Sequence, residues 1–121
     1  DAEGADLQLK KLFNNQFEFF KNNPHFIVAF FSEGLLEKSK NINSAIIEIM
    51  AVKKKHLSQI IKKGQKDKTF TIDLSTDDLA HIIMGSIRLH IQRWRMSAYS
   101  FDVKQEGNKL ATAIITLIKR K

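Results

Sequence analysis

Between Ser75 and Ser97, apolar residues fall into two separate helical rows, where a helix packed on a single core needs one. Leu79, Ala80, Ile83, Met84, Ile87, Ile91 and Trp94 make a broad face suited to a domain interior. Ile82, Gly85, Leu89, Gln92 and Met96 make a narrow second row, stepping by three and four in alternation. That spacing is the seam along which helices pack nearly parallel. A helix that serves its own core and offers a second seam predicts a homodimer.

The same periodicity predicts five helices and no strand over residues 1–121. The first spans about Asp6 to Lys21, with Leu9, Leu12, Phe13, Phe17, Phe19 and Phe20 inward. Asn23-Pro24 pairs a capping residue with proline at a first helical position, and the second helix runs to about Glu37. It is apolar around most of its circumference and should be the most buried. A polar loop leads to a third helix from about Asn43 to Lys63, after which Gly64 is expected as a left-handed cap. Residues Gln65 to Leu74 connect onward, with Phe70 and Ile72 expected beneath the fold. Ser75 and Asp78 cap the fourth, two-faced helix. Asp102 caps the fifth, which runs to about Lys119 with Val103, Leu110, Ala111, Ile114, Leu117 and Ile118 on its apolar side. Lys119 to Lys121 complement its C-terminal dipole.

A chain of 121 residues suits one domain. It has no cysteine, which removes disulfides, thiol catalysis and thiolate metal sites. No signal peptide or membrane-length apolar run is present, so a cytoplasmic protein with no membrane contact is expected. The net charge of +7 favours anionic partners. Seven lysines, at 53, 54, 55, 62, 63, 66 and 68, face the single acid Asp67 in one stretch. Such a run is most simply a solvated face.

From Gly64 onward the residue order resembles the C-terminal domain of TetR-family transcriptional regulators. The resemblance rests on Gly64 with Phe70, Asp73, Ser75-Thr76-Asp77-Asp78-Leu79-Ala80, and Met84-Gly85-Ser86-Ile87-Arg88 with Trp94. It continues through Ser100-Phe101-Asp102 and Glu106-Gly107, while Asn23-Pro24 and Glu33 match the start of the second helix. Lys68 departs from the family, where a second glycine often stands, and no helix-turn-helix reading domain is found. The resemblance implies an all-α, five-helix regulatory domain whose last two helices form a dimeric four-helix bundle and whose first four enclose an effector. Residues 1–121 would be the effector-binding and dimerisation piece of a longer regulator, more often a repressor. Operator DNA would be bound through the absent N-terminal domain. Leu110, Ile114 and Leu117 of the last helix would join Ile82, Gly85, Leu89, Gln92 and Met96 at the dimer interface.

Seven of nine phenylalanines lie between Phe13 and Phe31, which suggests irregular apolar space for a hydrophobic or acidic small molecule. Any one of these aromatics is more often core than pocket, but together they suggest a cavity lined by Phe13, Phe17, Phe20, Phe30, Met50, Ile87 and Trp94. Gln16, Lys53 and His90 interrupt or border the apolar rows and would orient a polar head, Lys53 favouring a carboxylate. The simpler alternative is preferred for each: Lys53 reaches water, and Gln16 and His90 bond to backbone or to acids. His25, His56, His81 and His90 lack metal-ligand spacing, and no nucleophile or phosphate-loop motif is convincing. The chain therefore reads as a non-enzyme without cofactor or metal. Two other functions remain open: a small basic helical module that binds nucleic acid or an anionic surface directly, and a lipid carrier.

Overall fold

The computed structural model describes residues 3–24 and 54–120. Within them the chain forms α1 (Ala5–Asn22), α2 (residues 54–66), α3 (Thr76–Met96) and α4 (Val103–Ile118). The fold is all-α; among the described residues the only β pairing is an isolated bridge between Phe70 and Lys119. The expected helix from Asn23 to Glu37 and the start of the one from Asn43 lie outside the described residues. No helix among the described residues is long and apolar enough to cross a membrane.

Helix α1 buries Ala5, Leu9, Phe13, Phe17 and Phe20, a row stepping mostly by four. It lies chiefly on α4, which answers with Val103, Gly107, Ala111, Ile114, Ile115 and Ile118. At one point of this contact a large ring, Phe17, meets a residue with no side chain, Gly107. A Cβ there would lie 3.0 Å from Phe17 Cγ, and Cδ2 and Cε2 would be closer still. Only glycine lets the two helices approach this far. Phe19, expected on the inner face, is instead partly exposed.

Helix α3 buries the broad face read from the sequence, with Met84 half-buried at its margin. Ser75 Oγ accepts from the Asp78 amide at 3.0 Å, and Asp102 Oδ1 accepts from the amides of Lys104 and Gln105, each at 3.0 Å. Both caps satisfy donors that a helix start leaves open. The Asp102 carboxyl is held below the ordinary aspartate range, first by the Gln105 amide.

The end of α2 differs from expectation. Gly64 is inside the helix, which continues to residue 66, and no described glycine has positive φ. The left-handed residue is Lys68, at φ 69°. Gly64 is needed for space instead. Its carbonyl accepts from Thr69 and Phe70 amides at 2.8 and 2.9 Å, and this folds the buried Phe70 ring onto its Cα. A Cβ would lie within 2.8 Å of the ring carbon Cγ. Ile72, expected beneath the fold, is 67% exposed.

A hydrogen-bonded junction joins three helix ends. Arg120 donates from Nε to the Phe70 carbonyl at 3.1 Å and from Nη2 to the Gln65 carbonyl at 2.8 Å. The Gln65 amide in turn donates to the carbonyls of Thr71 and Leu74 and accepts from Thr76 Oγ1. The residues after α4 are therefore fastened to the α2–α3 crossing.

Candidate functional site

Three helices outline a cleft of about 900 Å³. Helix α1 contributes Leu12 and Gln16 from the edge of its buried face, together with Phe20 of that face, because steps of four align these residues. Helix α2 contributes Lys54 and Leu57. Helix α3 contributes Asp77, Asp78, His81, Met84, Gly85, Ile87, Arg88 and Ile91, a strip that runs from the edge of its core face to Gly85 of its narrow row. The floor is apolar: Phe20, Leu57, Ile87 and Ile91 are buried, and Leu12 and Met84 half-buried. The rim is charged, with Lys54, Asp77, Asp78, His81 and Arg88 exposed. Asp77 and Asp78 occupy the first turn of α3, where the helix dipole favours carboxylates. Lys54 and Arg88 supply the cationic part of the rim. An apolar floor with a few polar groups at the mouth, at this volume, has the makeup of a small-molecule site.

Of the residues expected to line a pocket, the structure brings Gln16, Phe20 and Ile87 to this cleft. Phe13 and Phe17 do not reach it; both are fully buried in the core, Phe17 against Gly107 and His90. His90 is committed elsewhere. Its Nε2 lies 3.0 Å from the Val103 carbonyl, which can only accept, so this nitrogen carries the proton. Its ring stands edge-on to Phe17 at 4.7 Å. Trp94 donates from Nε1 to the Phe101 carbonyl at 2.9 Å and meets Tyr99 edge-on at 4.7 Å. His90 and Trp94 thus anchor the start of α4 to α3. Phe30, Met50 and Lys53 lie outside the described residues.

Leu12, Lys54, Leu57, His81, Met84, Arg88 and Ile91 also line the cleft. Their signal in the sequence is positional. His81, Met84, Arg88 and Ile91 step by three and four along α3, at the margin of its core face, where a helix borders an opening.

The narrow row of α3 is exposed along its whole length: Ile82 50%, Leu89 58% and Met96 77%, with Gly85 and Gln92 between them. A Cβ on Gly85 would meet nothing within 4 Å. On α4, Leu117 is 80% exposed and Leu110 half-buried, with exposed Ala113 between them. Ile114 departs from its expected interface role, because it points into the chain's own core at 5% exposure. Large apolar side chains left outward in rows on two neighbouring helices form a surface that water covers poorly.

The family model described as YsiA-like protein, C-terminal region, matches residues 1–118. Among solved structures, the crystal structure of a transcriptional regulator FadR from Bacillus subtilis in complex with stearoyl-CoA resembles the chain with a TM-score of 0.80 at 16% identity. The match covers 95% of this chain and 61% of that one, so this chain spans less than two-thirds of the regulator's length. At that identity the likeness speaks for the fold. No curated protein matches the sequence.

Proposed function

Because the chain belongs to the family of YsiA-like protein C-terminal regions, a regulatory domain of the TetR type, we propose that it is the effector-binding and dimerisation part of a ligand-responsive transcriptional repressor. The observation that carries this reading is the cleft of about 900 Å³ between α1, α2 and α3, apolar within and cationic at part of its rim. It suits an effector with a long apolar body and an anionic head. The bound stearoyl-CoA of the similar regulator has that chemistry, which favours a long-chain acyl-CoA here.

The apolar body would displace water from Phe20, Leu57, Ile87 and Ile91, and the head would meet Lys54 and Arg88. Helix α3 carries both a wall of the cleft and the exposed row ending at Met96. An effector that prefers one placement of α3 against α1 and α2 therefore shifts the population of dimer arrangements. In a parent regulator this changes the distance between two DNA-reading heads, which must match half-sites about one helical turn apart. The reading is of a binding domain, not an enzyme.

Calorimetric titration with palmitoyl-CoA, palmitate and coenzyme A tests the proposal. Palmitoyl-CoA is expected to bind at micromolar concentration or tighter and coenzyme A alone to bind far more weakly. Arg88→Glu should weaken palmitoyl-CoA at least tenfold. Absence of binding by all three compounds would refute the effector reading.

A further inference from the structure

Helix α2 is divided along its length. Leu57, Ile60, Ile61 and Gly64 are buried. Opposite them, Lys55, Gln59, Lys62 and Lys66 step by four, three and four, and all are exposed. The row is straight, about 16 Å long at 1.5 Å per residue. Lys54 and Lys68 are exposed at its two ends. Lys62 and Lys66 stand one turn apart, where like charges repel and oppose the helix that carries them.

Nothing described neutralises it. Ion pairs among the described residues join Lys11 to Glu3, Lys104 to Glu18 and Lys109 to Glu106. None uses Lys54, Lys55, Lys62, Lys66 or Lys68. The neighbouring acid, Asp67, is turned to Thr69. Its Oδ1 accepts from Thr69 Oγ1 at 2.6 Å and from the Thr69 amide at 3.1 Å. These charges therefore stand ready for an external anion.

The shape of the row decides between hydrated polyanions and lipid. A helix that lies on a bilayer inserts a free apolar face. The apolar face of α2 is spent on the protein core, and its outward row holds lysine and glutamine alone. A line of point charges with no apolar anchor matches backbone phosphates, which lysine contacts without reading sequence.

We propose that the Lys55–Lys62–Lys66 row is a contact site for the phosphate backbone of nucleic acid, carried by the regulatory domain itself. It would hold the domain near DNA independently of the operator and of the effector cleft. Such a contact adds affinity and association rate without adding specificity.

The test is fluorescence anisotropy of the 121-residue chain with a labelled duplex of arbitrary sequence, between 50 and 200 mM NaCl. Three neutralised phosphates give a log–log salt slope of about −2.7 and an affinity drop of about 40-fold over that range. Lys55→Glu, Lys62→Glu and Lys66→Glu together are expected to lower affinity more than tenfold at 50 mM. The matched triple Lys10→Glu, Lys21→Glu and Lys109→Glu changes net charge equally and should lower it less than threefold. The neutral triple Lys55→Gln, Lys62→Gln and Lys66→Gln should flatten the slope, with the circular dichroism spectrum unchanged. Equal loss in both glutamate triples, or no binding by the unaltered chain at 50 mM, would overturn the proposal. So would preferential binding to phosphatidylserine vesicles with the same lysine dependence.

Discussion

Replacing Gly107 by alanine sets two known effects against each other within one residue. In a helix interior, Gly→Ala gains about 1 kcal/mol from backbone preference. At this position the new methyl overlaps Phe17, whose Cγ would stand 3.0 Å away with two ring carbons nearer. The ring has nowhere to go. Phe17 is fully buried, with Phe13 edge-on at 6.0 Å and His90 edge-on at 4.7 Å. Overpacking of this kind costs about 1–3 kcal/mol. With the overlap this deep the upper end applies, which leaves Gly107→Ala about 2 kcal/mol less stable than the parent after the helix gain. Urea unfolding followed by circular dichroism measures this, at one fixed protein concentration because self-association shifts the midpoint. The double mutant with Phe17→Leu isolates the contact. Shrinking the ring should relieve the methyl, so the pair should be more stable than the sum of the single effects by more than about 1 kcal/mol. Gly107→Ala as stable as the parent, or additivity within about 0.5 kcal/mol, would refute the idea that Phe17 and the α4 backbone are in enforced contact.

Three further outcomes are expected. Lys68→Gly should stabilise the chain by about 1 kcal/mol in the same urea experiment, since Lys68 sits at φ 69°, where a Cβ is unfavourable. Leu89→Asp places a charge in the middle of the exposed α3 row and should reduce the mass seen by light scattering at micromolar concentration from dimer to monomer; an unchanged mass would count against the seam. Asp102→Ala should lower the urea midpoint at pH 7, and the difference should shrink below about pH 3.8, because a carboxyl held below its ordinary value contributes stability that is lost as pH falls through its folded value.

Helix faces and caps were legible because each follows from a local rule. Ser75 and Asp102 are capping residues followed by amides in reach, and the broad face of α3 is a period that only a helix satisfies. The pocket was only partly legible, because a row of phenylalanines looks the same whether it faces a neighbouring helix or an opening. Gly107, far along the chain, makes the room that lets Phe17 be core. His90 illustrates the same limit, since its partner is the backbone carbonyl of Val103, which no side-chain pattern announces. Gly64 reads as a cap from sequence because glycine serves both conformation and clearance. The nearby Phe70 ring makes it the second. Ile72 was expected inside on hydrophobicity alone, but the crossing turns it outward once Phe70 has taken the buried place.

The stretch from residue 67 to residue 75, exposed at most of its positions apart from buried Phe70, invites use as an attachment point for a fluorophore or an inserted tag. Arg120 and Gln65 rule that choice out, since any added length there would pry three rods apart at their shared pole. The opposite corner, around Tyr99, is clamped as well: Trp94 meets the Tyr99 ring edge-on and donates to the Phe101 carbonyl, so neither end of α3 tolerates added length.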